Sequence, residues 1–336
     1  MFSSQIFTDK ELESTIITLK YTDSQDADKN MSISIAPELG SNLFSFRAGN
    51  YDLIYCDKEL LKKRVWTGCF VLWPLPNRVR GKQYEFEGKT VSLKNIKRNK
   101  GNAVLIHGLV DDKKWLYAAP QETGNSISVK THIPVLPEIR TYFPFKGSLT
   151  LEYILNTNGV KVVYTVENTG NTNMPFGFAL HPYFSTISDI DQTTICVPAN
   201  FVMRADKDLL PTGELSEVSQ TEFDLRTPKT VSLLDLDHVF TGLDKEKAAV
   251  INYPQQEIRL SIQASEDFTH LVVYTMEKAE GFICLENQTG STDMINLYAK
   301  AFKENNDTLK KAAHLLILPP HQSHTGFISY KILHHS

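Results

Sequence analysis

Residues 149–166 decide the fold class; they run Leu149-Thr150-Leu151-Glu152-Tyr153-Ile154-Leu155, then Asn156-Thr157-Asn158-Gly159, then Val160-Lys161-Val162-Val163-Tyr164-Thr165-Val166. Apolar and polar side chains largely alternate in the first and last segments, which is the pattern of a strand with one buried face. The segment between them is rich in Asn and Gly and is typical of a hairpin turn. This stretch therefore predicts two antiparallel strands.

Comparable strand patterns recur along the chain, separated by Gly, Pro, Asn and Asp. Further strands are predicted at 127–133, 257–263, 270–276, 282–285, 314–318 and 326–333. Helical periodicity is scarce, and residues 293–311 predict a loop with one or two turns of helix. Many short strands at near-regular spacing predict an all-β fold, an antiparallel sandwich or barrel.

Composition limits the function classes. The chain has 336 residues, 41% hydrophobic and 22% charged, and a net charge of −4. This composition is typical of a soluble protein, and it excludes the basic footprint of a nucleic-acid binder. The short basic run at 94–100 is typical of a solvated loop. No stretch approaches the roughly 20 apolar residues of a membrane span.

The four cysteines, Cys56, Cys69, Cys196 and Cys284, form no CxxC pair and have no histidine at metal-ligand spacing. A zinc site or a disulfide framework is therefore not expected. The N-terminus shows no signal peptide, and unpaired thiols fit a reducing compartment. We expect a cytoplasmic protein.

Two segments place one ionisable residue in an apolar setting. His181 follows Phe176-Gly177-Phe178-Ala179-Leu180 and precedes Pro182, and Glu286 follows Phe282-Ile283-Cys284-Leu285. Each is predicted to lie at the end of a strand. An imidazole and a carboxylate have reference pKa values of about 6.5 and 4.3. If folding joins them, one can donate a proton while the other accepts one. Structural roles at strand ends remain open for both.

Three further regions offer polar groups: Arg78 after a proline-rich run, His107 at the end of an apolar strand, and the pair Asp235 and Asp237, predicted to share one face of a strand. Each has an alternative reading as a solvated or turn-forming residue. With aromatic neighbours, these groups favour a site for a neutral, hydroxyl-rich ligand such as a sugar. The spread of candidates from about position 77 to 290 favours one domain over residues 1–336.

The sequence resembles the aldose 1-epimerase (galactose mutarotase-like) family. The matching stretches occur in family order over nearly the whole chain, at 74–81, 105–108, 177–184, 210–214, 223–226, 236–240, 285–290 and 318–321. The resemblance implies a large antiparallel super-sandwich with a monosaccharide site on one concave sheet. No metal or organic cofactor is implied.

The resemblance also implies roles for individual residues. His181 would be the general acid and Glu286 the general base, Arg78 and His107 would donate hydrogen bonds to the sugar, and Asp237 would bind ring hydroxyls. Anomers would interconvert by ring opening and reclosure. We expect Glu286 to be ionised and His181 protonated, because a nearby carboxylate raises the pKa of an imidazole and a nearby cation lowers that of an acid.

The chain departs from the family pattern at Leu109, at Asn287-Gln288 and at Pro319-Pro320. These departures bear on the identity of the sugar rather than on the reaction type. Two alternatives remain. One is a hexose-6-phosphate 1-epimerase, for which Arg80, Lys82 and Arg140 are the candidate phosphate ligands. The other is a non-catalytic sugar-binding module on the same fold. The sequence does not determine the oligomeric state.

Overall fold

The structure is a computed structural model that describes residues 1–96 and 103–334. Residues 97–100 of the predicted basic loop lie outside these ranges. In chain order, the first half carries β1 (Phe2–Asp9), β2 (Ser14–Tyr21), β3 (Met31–Ala36), β4 (Asn42–Ala48), β5 (Tyr51–Asp52), β6 (Cys69–Leu72), β7 (Arg78–Arg80), β8 (Gln83–Phe86), β9 (Lys89–Ser92), β10 (Ala103–Ile106), β11 (Leu116–Tyr117), β12 (Gln121–Thr123), β13 (Ser126–Pro134), β14 (Gly147–Asn156) and β15 (Gly159–Asn168).

The second half carries β16 (Met174–Phe176), β17 (Ala179–Ser185), β18 (Thr194–Cys196), β19 (Ala199–Ala205), β20 (Pro211–Glu217), β21 (Lys229–Thr230), β22 (Asp237–Leu243), β23 (Ala249–Tyr253), β24 (Ile258–Ala264), β25 (His270–Tyr274), β26 (Phe282–Gln288), β27 (Leu316–Leu318) and β28 (Ser323–His334). The helices are α1 (Lys58–Lys62), α2 (Pro137–Arg140), α3 (Met294–Lys303) and α4 (Asp307–Ala313).

Three sheets form most of the molecule. A ten-stranded sheet has the order β11-β13-β14-β15-β28-β24-β23-β18-β21, with β12 also paired to β13. A seven-stranded sheet has the order β20-β19-β22-β25-β26-β17-β6, and β1 to β5 form a third sheet in chain order. Neighbouring strands in these sheets are antiparallel. The predicted all-β, antiparallel fold class is confirmed.

One hydrophobic core joins the three sheets. It contains Ile33 from the β1–β5 sheet, Leu151 from the ten-stranded sheet, and Ile283 and Leu285 from the seven-stranded sheet, all fully buried or nearly so. Each such side chain contributes roughly 1.5–3 kcal/mol through its burial. Because odd positions of β26 point into this core, its even positions face the opposite side of the sheet. That opposite side carries the candidate site. The prediction of one domain stays a prediction.

Most of the predicted strands are confirmed, including the hairpin at 149–166, which forms β14 and β15 with full antiparallel register. The prediction of a loop with one or two turns of helix at 293–311 understated the helical content of this segment. This segment forms α3 and α4, which pack on Met203 of the seven-stranded sheet through Leu297, Ala301 and Leu309. Both helices are short and the polar pair Asn305-Asn306 separates them, so no long helical period is visible in the sequence.

Three predicted strand positions also need correction. His181 and Glu286 were expected at strand ends, but both lie inside strands, in β17 and β26. Pro182 does not end β17. Backbone pairing between β17 and β26 is made at Ala179 and resumes at Tyr183. Pro182 lies between these points, where the N–H that a proline lacks is not needed for the pairing. Asp235 precedes β22 and so does not share a strand face with Asp237, the first residue of β22.

Candidate active site

His181 and Glu286 face each other across neighbouring strands. The register that pairs Ala179 with Gln288 and Tyr183 with Cys284 puts His181 directly opposite Glu286, where side chains on one face come close enough to interact. Nε2 of His181 lies 3.2 Å from Oε1 of Glu286. The two residues are only 7% and 2% exposed. A proton can therefore pass directly between them.

Aromatic rings fix the imidazole of His181. Phe70 on β6 stacks on it with ring centroids 4.6 Å apart, and His107 meets it edge-on at 5.1 Å. Trp66 in turn contacts His107 edge-on at 4.5 Å, and the Nε1–H of Trp66 donates to Oδ2 of Asp111. These contacts leave the His181 ring little freedom to rotate away from Glu286.

Local backbone geometry explains the His107-Gly108 pair. Both residues adopt positive φ angles, 63° and 74°, and the backbone N–H of His107 donates to the carbonyl of Asn77. A Cβ atom on Gly108 would lie 2.5 Å from the carbonyl oxygen of Trp73. Only glycine fits there, and the tight turn brings the imidazole of His107 back over the seven-stranded sheet.

Arg78 and Asp237 form the second polar pair of the site. Nη2 of Arg78 lies 3.3 Å from Oδ2 of Asp237, and both side chains are largely buried. The start of α3 holds the arginine strand in place, because the N–H of Asp293 donates to the carbonyl of Arg78 and Oδ1 of Asp293 accepts from the N–H of Arg80. The pair presents donors and an acceptor on the same face of the sheet as Glu286.

The ionisation state differs from the expectation. Burial raises the pKa of Glu286 well above its usual range, and the Asp237 carboxylate raises it further. Burial lowers the pKa of His181 to about 3, with Arg78 acting in the same direction. Both shifts favour the uncharged forms, so the pair is expected to share a single proton that Glu286 carries. The expectation of an ion pair rested on the mutual attraction of the two charges. In this buried site the free energy lost by removing both charges from water outweighs that attraction.

Gln288 is a site residue that the sequence reasoning left without a role. It is fully buried, and its Nε2 donates to Oε2 of Glu286 over 3.2 Å. This hydrogen bond favours the carboxylate form and lowers the pKa of Glu286 against the effect of burial. It also holds the carboxyl group so that Oε1 points at His181. The i, i+2 spacing of Glu286 and Gln288 on one strand was the available signal.

Replacement of Gln288 by leucine tests this role. At high pH the His181–Glu286 pair loses its one proton, and Glu286 becomes a carboxylate. The substitution by leucine removes a hydrogen bond to that carboxylate. We expect the alkaline limb of the kcat/KM profile for the anomer interconversion that the resemblance implies to move up by about one to two pH units, because a hydrogen bond to a charged group is worth about 1.5–3 kcal/mol. We also expect kcat to fall, because the ionised tautomer is destabilised.

The matched control for this variant is Gln121→Leu on exposed β12 of the ten-stranded sheet. It should leave both the pH profile and kcat unchanged. A Gln288→Leu enzyme whose alkaline limb stays in place would show that the glutamine only fills space.

A possible metal-ligand group lies within the same site. Ligand atoms of His181, Cys284 and Glu286 all fall within 4.8 Å of one another, although their sequence spacing gave no metal signal. Burial raises the pKa of the Cys284 thiol well above its usual range, so a thiolate ligand is disfavoured. We assign no metal to this group. All four cysteines are free.

The structure thus brings the five predicted site residues together on one face of the seven-stranded sheet or directly above it. His181 and Glu286 form one pair and Arg78 and Asp237 another, and His107 contacts His181. Sequence reasoning missed Phe70, Trp66 and Gln288. Phe70 gave no signal, because a strand aromatic is more often a core residue, and Trp66 lies in the loop before β6.

A family model described as aldose 1-epimerase matches residues 24–330. The chain belongs to the aldose 1-epimerase family. This family fits the paired acid and base found on the sheet, and the match spans most of the strands that build the site.

Two relatives are each less than 30% identical to this chain. The uncharacterized protein YihR of Escherichia coli K12 is 28% identical over 212 residues, 62% of this chain and 65% of YihR. The galactose mutarotase of Sus scrofa is 27% identical over 175 residues, 51% and 48% of the two chains. The aligned part of this chain thus spans about half to two thirds of the length of these relatives.

Solved structures align over more of the chain. A galactose mutarotase-like protein from Clostridium acetobutylicum has a TM-score of 0.80 at 18% identity and covers 100% of this chain and 99% of its own. A galactose 1-epimerase from Lactobacillus acidophilus has a TM-score of 0.76 at 18% identity, with 100% and 99% coverage. At this level of identity the likeness supports the fold.

Proposed function

We propose that this protein is an aldose 1-epimerase that interconverts the α and β anomers of a neutral sugar. The observation that carries the proposal is the direct contact between Nε2 of His181 and Oε1 of Glu286, 3.2 Å apart on neighbouring strands. In a pyranose, O1 and the ring oxygen O5 are both bonded to C1. Two groups 3.2 Å apart can therefore contact both oxygens of one sugar. Membership of the family supports the same reaction.

The proposed reaction starts with an internal proton shift. When a sugar binds, its hydroxyl groups solvate the pair and the shared proton moves from Glu286 to His181, which changes no net charge. Glu286 then takes the proton of the O1 hydroxyl while His181 protonates O5. The C1–O5 bond breaks and leaves an open-chain aldehyde.

Reclosure reverses these steps on the other face of the carbonyl. The C1–C2 bond turns, O5 attacks C1, His181 takes back the O5 proton, and Glu286 returns its proton to O1. The pair ends with the single proton it began with, so the cycle needs no redox partner. In this scheme His107, Arg78 and Asp237 bind and orient the hydroxyl groups of the ring.

Polarimetry tests the proposal directly. Freshly dissolved α-D-glucose and α-D-galactose should approach their equilibrium rotation faster with the protein than without it, because acid–base placement contributes about 10²–10⁴-fold per group. Heat-denatured protein gives the spontaneous rate. The proposal fails if no common aldose is accelerated above that rate.

Two of the three candidate phosphate ligands, Arg80 and Arg140, give the phosphorylated-sugar alternative no support, and the third, Lys82, is exposed between β7 and β8. Arg80 is already paired with Asp206 at 2.9 Å and with Asp293 at 3.6 Å. Arg140 ends α2, which follows β13 of the ten-stranded sheet, whereas the site lies on the seven-stranded sheet. The non-catalytic alternative is disfavoured by the retained acid–base pair. Calorimetry that showed saturable sugar binding without accelerated mutarotation would favour it.

The expected partner is a monosaccharide substrate. Among the described residues no helix is long and apolar enough to cross a membrane. The cytoplasmic location stays a prediction.

A further inference from the structure

Two rows of side chains flank the acid–base pair on its face of the seven-stranded sheet. On one side, Ala179 lies opposite Gln288 and Gln288 lies opposite His270. All three side chains are fully buried, so we call them the closed row. Because protein already covers this row, a sugar bound at the pair has no room on that side. Its ring must extend toward the row on the other side of the pair.

The other row is accessible, and we call it the open row. It consists of Tyr183, Cys284, Tyr274 and Asp237, which pair in this order across β17, β26, β25 and β22. Their side chains lie on the same face as Glu286, because Cys284 precedes it by two residues on one strand. Cys284 is buried, whereas the two tyrosines and Asp237 are half-buried. This row, unlike the closed one, can contact a bound sugar.

Tyr183 stands in the open row next to His181, with ring centroids 5.1 Å apart. Its phenol ring stacks on Phe282 at a centroid distance of 4.4 Å and an interplanar angle of 7°. Its backbone N–H donates to the carbonyl of Gly68, and its carbonyl accepts from the N–H of Tyr55. These contacts hold the ring in one orientation beside the imidazole.

The bonds of a pyranose decide which carbon meets Tyr183. In the proposed reaction O5 lies at His181 and O1 lies at Glu286, and O5 is bonded to C5 as well as to C1. Since the ring extends over the open row, C5 and its substituent C6 lie on the His181 side of that row. Tyr183 occupies this place, two residues farther along the same strand. C2, on the other side of C1, then lies toward Asp237, in agreement with the role proposed for that carboxylate.

The hydroxyl group of Tyr183 is available to a ligand. It takes part in none of the side-chain hydrogen bonds within the described residues. Burial raises the pKa of this phenol, and the carboxylate of Glu277 acts in the same direction. The hydroxyl therefore stays protonated and can donate to a sugar oxygen. Glu277 also gives this end of the row negative charge, which favours a neutral group at C6 over a phosphate.

We propose that Tyr183 is a specificity-determining residue whose ring packs against C5 and C6 of the reacting sugar and whose hydroxyl donates a hydrogen bond to O6. The inference rests on the proposed function, since O5 must lie at His181. Removal of O6 from the sugar and removal of the hydroxyl from Tyr183 then delete the same contact. Their effects should not add, which a purely structural role of the tyrosine would not produce.

Polarimetry with three sugars tests the contact. D-glucose, 6-deoxy-D-glucose and D-xylose share their configuration at C2, C3 and C4, but the second lacks O6 and the third lacks C6. We expect kcat/KM of the native enzyme to be about fivefold lower for 6-deoxy-D-glucose than for glucose, the usual effect of one neutral hydrogen bond. For xylose it should be lower by about a further tenfold, because one carbon in an apolar contact contributes at least that factor.

Two variants assign these differences to Tyr183. Tyr183→Phe keeps the ring and its stacking on Phe282, and it should abolish the fivefold preference for glucose over 6-deoxy-D-glucose. Tyr183→Leu removes the ring and should also reduce the preference for 6-deoxy-D-glucose over xylose. Ratios between sugars are the readout, because a general disturbance of His181 lowers all three rates alike. Tyr117→Phe, at a 41% exposed position on β11 of the ten-stranded sheet, is the control and should change no ratio.

The outcomes separate this inference from the proposed function. Equal kcat/KM for the three sugars in the native enzyme, or an equal loss for all three in Tyr183→Phe, overturns the role of Tyr183 and leaves the epimerase in place. If no sugar is accelerated, the epimerase is overturned, and calorimetry tests the contact alone. Glucose must then bind more tightly than 6-deoxy-D-glucose, and Tyr183→Phe must remove the difference; a difference that persists in the variant overturns the contact. Should Tyr183→Leu fail to fold, Tyr183→Phe decides the question.

Discussion

Replacement of Glu286 by glutamine is expected to lower kcat for mutarotation by about 10²–10⁴-fold, the usual contribution of a positioned base. The amide has the shape of the carboxyl group, so the packing around this buried position is kept. It cannot accept the O1 proton, and it also ends the exchange of a proton with His181 across 3.2 Å. The measurement is the initial rate of change of optical rotation at saturating sugar.

The matched control is Glu122→Gln, an exposed glutamate on β12 of the ten-stranded sheet. It should keep full activity, and thermal unfolding should show that Glu286→Gln is folded. A folded Glu286→Gln protein that retains half of the native rate would remove Glu286 from the reaction.

Replacement of His181 by asparagine is expected to cause a loss of similar size, about 10²–10⁴-fold in kcat. Asparagine can still donate a hydrogen bond to O5, but it cannot give up a proton when the C1–O5 bond breaks. The stacking on Phe70, at a centroid distance of 4.6 Å in the native protein, is also reduced. Because the two residues share one proton, the double variant should lose little more than either single variant.

His132→Asn on β13 is the control for this substitution. His132 lies on the ten-stranded sheet with a hydrogen-bonding contact to Thr150, so its loss should leave mutarotation unchanged. Fully additive losses in the double variant would contradict a shared proton and would point to two independent roles.

Much of the fold could be predicted because its signals are local. The alternation at 149–166 and the Asn-Gly turn specify a hairpin without reference to the rest of the chain. The length of α3 and α4 was underestimated because each helix is short and packs on Met203 and its neighbours. Short helices are stabilised mainly by packing against the rest of the protein. The surface on which α3 and α4 pack forms only when the seven-stranded sheet has folded.

The candidate site was predictable in part. Ordered motifs singled out Arg78, His107, His181, Asp237 and Glu286, and the structure brings all five together. Gln288 and Phe70 were missed because their roles depend on which strand lies next to which. The spacing of Glu286 and Gln288 indicates a shared role only once the strand register is known. That register places both side chains on the face where His181 of the neighbouring strand lies.

The amino-acid order alone specifies the strand pattern, the family and the residue types able to exchange a proton. The register that sets His181 opposite Glu286, and the burial that shifts both pKa values toward the uncharged forms, exist only in the folded chain. The reason is physical: the two-residue period of a strand acts between chain neighbours, whereas register and desolvation arise between segments about a hundred residues apart.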